Sequence, residues 1–226
     1  MKMYKKVMAA ALAGVMTVSM SATAFAADDD GYILKATNED SKSSDNDLVI
    51  AIEGSVSSMD PANIPDTNAI SATRGVYETL VSFDENQELT GKLAESWEVS
   101  DDSLTYTFKL RQGVKFQDGT DFNAAAVKAN YDRVVNKDNN LRQRRTFIVT
   151  NEDGSETPRV DSIETPDDYT LVIKLTQAWA PFINRLTQFC IISPAALEEY
   201  GNDIMNHPCG TGPVSYTHLR AHETGR

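Results

Sequence analysis

A short run of arginines offers the clearest binding chemistry in this sequence. The run LRQRR at residues 141–145 places three guanidinium groups within four positions of an acidic chain. A guanidinium presents its donors in a planar fork that matches the two oxygens of a carboxylate. The run therefore predicts either a site for a carboxylate-bearing ligand or a solvated surface that neutralises nearby acidic side chains.

Catalytic chemistry has no comparable signal. The sequence contains neither a G-x-S-x-G nucleophile motif nor an H-E-x-x-H metal motif, and nothing marks a catalytic pair among its acidic residues. His218 and His222 have the spacing of a helical metal site, which we interpret as coincidence. We expect no catalytic residues, no metal site and no cofactor, with a secreted hydrolase as the alternative from another functional class.

The two cysteines, Cys190 and Cys209, leave two interpretations open. In an exported protein a disulfide between them would persist. Spacing alone does not show whether their Cα atoms come close enough to bridge, so two buried free thiols are the alternative.

The overall charge narrows the choice of partners. The chain has 226 residues and a formal net charge of -12. Contacts with nucleic acid or anionic lipid require clustered Lys and Arg, so we expect no nucleic-acid partner and no adhesion to such membranes. Excess acid is typical of a secreted protein that stays soluble, and we expect a monomer.

The amino terminus has the pattern of a secretory signal peptide over residues 1–26. Lys2, Lys5 and Lys6 precede an apolar stretch too short to span a bilayer, and Ala24 and Ala26 fit the A-x-A cleavage rule. We predict cleavage after Ala26. No cysteine near this site could carry a lipid anchor, which favours a free periplasmic or extracellular protein.

A strand, turn and helix form the centre of the chain. Residues 105–110 alternate apolar and polar side chains, as a half-buried strand does, and residues 114–116 resume the strand before a turn at Asp118-Gly119. Asn123 is a predicted helix cap, and apolar residues then recur at helical spacing. Elsewhere we predict a first strand at 48–52, a helix capped by Ser71 and continuing to Leu80, and paired strands at 161–164 and 169–175.

Further helices and a turn complete the sequence-based assignment. Residues 151–157 form a predicted hairpin tip, residues 179–188 a helix with Pro181 in its first turn, and Ser193 caps a helix that Gly201 ends. The predicted class is α/β with mixed sheets.

Several motifs carry a family resemblance. Residues 93–133, LAESWEVSDDSLTYTFKLRQGVKFQDGTDFNAAAVKANYDR, resemble the signature region of the family 5 extracytoplasmic solute-binding proteins of ABC importers, which bind peptides, glutathione or nickel complexes. Residues 59–61, 76–81, 192–197 and 210–213 follow the family pattern in the same order. FQDGTDFNAAAVKAN and ISPAALEEYG look most like the glutathione- and dipeptide-binding branch.

The resemblance implies a division of the chain and a two-lobed fold with an extra small subdomain. The expected segments are a signal peptide at 1–26, a flexible acidic lead at 27–47, the start of lobe I at 48–80, the small subdomain at 81–190, a return to lobe I at 191–213 and a non-native tail at 214–226. The second lobe lies outside this sequence, so we expect the fragment itself to be inactive.

The resemblance also implies site residues. Family members approach the ligand with residues just before the segment that begins at Val76 and often place an arginine from the LRQRR region near the cleft. The expected ligand-binding residues are Ser58, Met59, Ile70, Arg142 and Arg145. The expected hinge between the lobes is the set Gly210, Thr211 and Gly212.

The function implied is capture of a dipeptide, oligopeptide or glutathione outside the membrane and delivery to an ABC permease with its ATPase subunits. A nickel-chelate-binding protein of the same family is the alternative within this class.

Overall fold

The computed structural model describes residues 56, 58–64 and 67–215, and all of them belong to one compact unit of the chain. The predicted signal peptide, acidic lead and first strand lie outside the described residues, as does the tail from residue 216 onward. No helix of the described part combines the length and the hydrophobicity that a membrane crossing requires.

The unit combines helices with two runs of four strands, which confirms the mixed α/β class. The strands are β1 Val81–Phe83, β2 Leu89–Gly91, β3 Ala94–Val99, β4 Thr105–Leu110, β5 Ile148–Thr150, β6 Glu156–Pro158, β7 Val160–Asp167 and β8 Thr170–Leu175. The α-helices are α1 Thr67–Thr73, α2 Ala124–Val135, α3 Arg144–Phe147, α4 Phe182–Arg185 and α5 Pro194–Tyr200. Short 3₁₀ turns occupy Pro61–Asn63, Lys137–Asn139, Leu186–Gln188 and Gly201–Met205.

A four-stranded antiparallel sheet in the order β3-β4-β8-β7 forms the centre of the unit. The alternation predicted for residues 105–110 is confirmed, because Tyr106, Phe108 and Leu110 are buried while Lys109 is exposed. Strand β8 repeats this pattern, and Phe108 lies opposite Leu171 in the register. One face of the sheet therefore belongs to the core. Two hairpins, β1-β2 and β5-β6, accompany it.

Helix α2 covers this core, and local capping explains where it begins. The Asn123 side chain accepts a hydrogen bond from the Ala126 N–H at 2.9 Å, as the sequence predicted. Val127 and Val134 are buried, and α2 packs against β7. Ser193 caps α5 in the same way, and Gly201 ends it with a φ of 53°.

Three predicted elements were wrong in extent. The helix predicted at 179–188 is the short α4 followed by a 3₁₀ turn, and Pro181 lies at its N-cap, before its first turn. The first helix begins at Thr67 and ends at Thr73, and Ser71 lies inside it, donating its hydroxyl to the Thr67 carbonyl instead of capping. Residues 74–76 form a turn, and the chain from Tyr77 to Leu80 then pairs elsewhere, as in the bridge between Thr79 and Cys190.

The third correction concerns residues 114–116. They form no strand. Lys115 makes one isolated bridge with Asp121, and the Phe116 N–H donates to the Thr120 carbonyl across the turn. The Phe122 N–H also donates to the Val114 carbonyl at 3.0 Å, so the two arms of the turn pair through single contacts without forming a regular strand.

A bidentate ion pair joins α2 to the turn at Pro61. Arg133 donates to both carboxylate oxygens of Asp60, with nitrogen–oxygen distances of 3.2 and 2.6 Å. Both side chains are largely buried, at 12% and 8% exposure. Asp60 also accepts from the Ala62 N–H and so caps the turn. This carboxylate holds two elements that are far apart in sequence.

A buried amide makes a second long-range connection. Asn130 on α2 donates to the Ile192 carbonyl at 2.8 Å and accepts from the Ile192 N–H at 3.0 Å. The pairing mimics a strand ladder, so it fixes residue 192 against the helix and satisfies a polar side chain that is 2% exposed.

The segment around residues 210–214 runs beside residues 75–76. The N–H groups of Gly212 and Val214 donate to the carbonyls of Val76 and Gly75. A Cβ on Gly210 would lie 2.2 Å from the Val76 carbonyl oxygen, and one on Gly212 would lie 2.3 Å from that of Gly75. Glycine is required here by close backbone approach.

The side chain of Gln117 holds this crossing segment, which we define as residues 210–214. Its amide nitrogen donates to the carbonyls of Gly212 and Val214 at 2.9 and 2.8 Å. The first residue of the predicted tail is therefore docked. Three expectations stay predictions. They are the hinge role of this segment, the non-native character of the tail, and the division of the chain at residues 80/81 and 190/191.

Both cysteines are free thiols in this structure. Burial raises the pKa of Cys190 to about 12 and that of Cys209 to about 11. The disulfide proposed from the sequence stays a prediction.

Replacing Arg133 with Met should destabilise the fold by about 3 kcal/mol, because the Asp60 carboxylate would remain buried without its counter-ion. Urea unfolding of both proteins measures the change in the free energy of unfolding. Lys128→Met is the matched control: this lysine also pairs with an aspartate on α2, but in solvent, and its loss should leave stability almost unchanged. Equal effects of the two substitutions would contradict the assigned role.

Ellman's reagent should label Cys190 and Cys209 slowly in the native protein at mildly alkaline pH. Their raised pKa values keep both sulfurs protonated, and the thiolate is the reactive form. In denaturant without reductant, two thiols should then react rapidly. No reaction in denaturant would show that the cysteines are bridged.

Candidate functional site

A cavity of about 800 Å³ lies beside α1, the Pro61 turn and the segment that carries LRQRR. Residues 77–79, the β1-β2 hairpin and residues 187–190 complete its wall. The wall therefore combines segments that lie far apart in the sequence, and the ion pair and backbone contacts described above hold them together.

The structure separates the three arginines of LRQRR by role. Arg144 donates to both oxygens of Glu156 at 2.7 Å each and to the Val135 carbonyl at 2.8 Å, so it is a structural residue. These hydrogen bonds lower the pKa of Glu156. Arg142 and Arg145 line the cavity, and within the described part of the chain neither guanidinium has an ion pair or a hydrogen bond.

Gln143 fixes the backbone from which these two arginines project. Its N–H donates to the Ala62 carbonyl at 3.0 Å, and its side-chain amide donates to the Gln188 carbonyl at 2.8 Å. The LRQRR segment is therefore attached to two different walls of the cavity, and the positions of its side chains are restricted at the backbone.

A third cavity arginine, Arg74, was missed by the sequence analysis. It follows α1 directly, is exposed to the cavity, and has no side-chain ion pair or hydrogen bond among the residues that the structure describes. Arg74 and Cys190 both line the cavity, and the charge of Arg74 opposes the rise in the pKa of the Cys190 thiol. The signal that could have found it was its position just before Val76, where the resemblance already pointed.

The other predicted ligand-binding residues are divided between the cavity and its surroundings. Ile70 lines the cavity with 43% of its surface exposed, so it joins Arg142 and Arg145. Met59 is buried in the core, and the Ser58 hydroxyl accepts from the Asp60 N–H. Neither of these two lies on the cavity wall. The ligand-binding roles of all five residues stay predictions.

Two acidic residues also line the cavity. Glu78 forms an ion pair with Lys92 at 3.5 Å and accepts a hydrogen bond from the Thr211 hydroxyl at 2.9 Å. Asp84 caps its own turn, accepting from the N–H groups of Asn86 and Glu88.

Tyr77 contributes an unusual group to the same wall. It is 3% exposed, and its hydroxyl has no hydrogen-bond partner among the residues described by the structure. Burial, together with the nearby Asp60 carboxylate, raises its pKa well above the ordinary value for tyrosine. The phenol is neutral at physiological pH and adds no charge to the cavity.

The arrangement is suited to holding an anion. Three guanidinium groups line one cavity without a counter-ion from the described residues, and carboxylates are their usual ligands. Among the described residues no group of His, Cys, Asp and Glu could hold a metal ion.

Comparison with known proteins identifies the chain's relatives. Residues 88–221 match the family described as bacterial extracellular solute-binding proteins, family 5 Middle. The glutathione-binding protein GsiB of Shigella dysenteriae is 39% identical over 202 residues, which cover 88% of this chain and 34% of that protein. GsiB of Salmonella typhi is 43% identical over 169 residues, covering 74% and 31%.

Solved structures give the same result. The periplasmic binding protein DppA of Helicobacter pylori, in complex with the peptide STSA, matches with a TM-score of 0.56 and 31% identity, covering 70% of this chain and 34% of that one. NikZ of Campylobacter jejuni, in complex with Ni(L-His), matches with a TM-score of 0.61 and 27% identity, covering 73% and 31%.

The resemblance stated from the sequence motifs is thus confirmed, and these relatives are binding proteins rather than enzymes. The chain spans about a third of the length of the relatives it matches. Because the family match covers more than half of its residues, the chain belongs to the bacterial extracellular solute-binding proteins of family 5.

Proposed function

We propose that this chain is part of the solute-binding component of an ABC importer, which captures a peptide-like solute outside the membrane and delivers it to the permease and its ATPase subunits. The solute is a dipeptide, an oligopeptide or glutathione. The protein acts in the periplasm or outside the cell as a monomer, and it performs no catalysis.

One observation carries this proposal. Arg74, Arg142 and Arg145 line a single cavity without ion pairs from the described part of the chain, although the whole chain carries a net charge of -12. Arg144, from the same run, pairs with the Glu156 carboxylate. Other described arginines, such as Arg111 and Arg185, also lack an ion pair. The distinguishing feature of Arg74, Arg142 and Arg145 is that they line one cavity, where a ligand can supply the carboxylate.

The relatives support this chemistry. Their names refer to glutathione and to a peptide, and both kinds of molecule carry carboxylates. A nickel chelate is the second candidate, favoured by the match to NikZ in complex with Ni(L-His). An amino-acid chelate carries carboxylates as well and brings ligands for its own metal.

Tight binding in this family is expected to require contacts from both lobes, of which this chain supplies one. The described cavity is an open cleft, so a solute held in it keeps one side in water. A second lobe would close over the solute by hinge motion, and the solute would favour the closed state because it binds that state more tightly. The chain alone provides part of the contacts but still loses the full entropy of association, so its own affinity should be low.

An NMR titration of this chain with glutathione, monitored by amide chemical shifts, should therefore give a dissociation constant in roughly the millimolar range. The shifts should be concentrated around residues 70–79 and 142–146. Isothermal titration that gives micromolar affinity would contradict the requirement for a second lobe.

Replacing both Arg142 and Arg145 with Gln should weaken glutathione binding by about tenfold or more, because charge-assisted hydrogen bonds to the carboxylates are lost. Arg185→Gln is the matched control, since this arginine is exposed but lies outside the cavity. If the control weakens binding as much as the double variant does, the attraction reflects general charge and the proposed site is wrong.

A further inference from the structure

We propose that Glu78 is a specificity-determining residue of this cavity: it binds the free ammonium group of a solute in place of Lys92. The proposal rests on the proposed function, because it adds a cationic subsite to the carboxylate site formed by the arginines.

Glu78 is held firmly and turned toward the cavity. The Ile191 N–H donates to its backbone carbonyl at 3.0 Å, and the next residue, Thr79, bridges Cys190. Its side chain lines the cavity and is 21% exposed. Partial burial strengthens the attraction of a carboxylate for any cation that reaches it.

The present partner of Glu78 is weakly held. Lys92 approaches one carboxylate oxygen at 3.5 Å, longer than a charge-assisted hydrogen bond, and its side chain is 49% exposed. The exposed Lys92 ammonium therefore gains less from the carboxylate than a cation at hydrogen-bond distance would gain. The Lys92 ammonium can move into water at small cost, while its backbone N–H stays bonded to the Leu80 carbonyl.

Asp84, the other acidic residue of the cavity wall, does not offer the same site. One of its carboxylate oxygens accepts from the N–H groups of Asn86 and Glu88 at 2.9 and 2.8 Å, so this carboxylate is committed to its own turn. Among the described residues that line the cavity, Glu78 is the one carboxylate with an ion pair, which a solute ammonium can replace.

Thr211 acts as a positioning residue for Glu78. Its hydroxyl donates to the second carboxylate oxygen at 2.9 Å, which leaves the first oxygen facing Lys92. Thr211 belongs to the crossing segment, so the contact connects the cavity wall to that segment. A solute that bears both a carboxylate and an ammonium would then meet complementary charges on one wall.

The test compares Ala-Ala with N-acetyl-Ala-Ala as probes for this chain in NMR titrations. The unmodified chain should bind Ala-Ala about tenfold more tightly, as a charge-assisted contact predicts. Glu78→Gln keeps the acceptor for Thr211 but removes the charge, and it should abolish the preference while leaving the affinity for the acetylated peptide unchanged. Glu198→Gln, on the exposed side of α5, is the control and should keep the preference.

Two further variants should move the preference in opposite directions. Lys92→Met removes the competing ammonium, so Ala-Ala should bind more tightly relative to the acetylated peptide. Thr211→Val removes the positioning hydroxyl, so the ratio of the two affinities should fall although the acetylated peptide binds as before.

The outcomes separate the two proposals. Arginine-dependent binding with no preference between the peptides, or a preference that survives Glu78→Gln, overturns the role of Glu78 and leaves the carboxylate site intact. Binding of both peptides that is indifferent to Arg142 and Arg145 overturns the proposed function and the subsite with it.

Discussion

The Asp60 carboxylate is the group on which the geometry of the cavity depends. It is nearly buried, and its two oxygens receive Arg133 from α2 and the Ala62 N–H from its own turn. The Ala62 carbonyl in turn accepts from Gln143, in the middle of LRQRR. A continuous series of polar contacts therefore leads from the helix to the arginines that face the cavity. Because a lone buried charge is so unfavourable, this series has little freedom to rearrange.

Local chemistry accounts for most of what the sequence predicted correctly. The strand at 105–110 is encoded by its own alternation, and the caps at Asn123 and Ser193 act over three residues. The errors arise where distant pairing overrides local preference. The segment after Thr73 leaves the helix to pair with residues near Cys190, more than a hundred positions away.

The sequence predicted the positive charge of the site, but it did not predict which individual residues line the cavity. The run LRQRR indicated carboxylate chemistry, and Ile70, Arg142 and Arg145 do meet at one cavity. Nothing in the run distinguishes Arg144, because its partner Glu156 belongs to a hairpin twelve positions later. Arg74 and Glu78 carry no motif of their own, and their importance depends on which surfaces the fold brings face to face. What matters for this cavity is which arginines line it: Arg142 and Arg145 do, whereas Arg144 pairs with Glu156 instead.

The crossing segment also has a mechanical meaning. Gly75 and Val76 lie beside Gly212 and Val214, so the chain passes into and out of the sheet-bearing part at neighbouring points. Tension applied between residue 74 and residue 215 would load this short set of hydrogen bonds, together with the Gln117 amide, before it reached the sheet. The strands would stay relaxed while the flanks are pulled. The sheet-bearing part between residues 76 and 210 would then move as a rigid body, and the deformation would be confined to the few hydrogen bonds of the crossing segment.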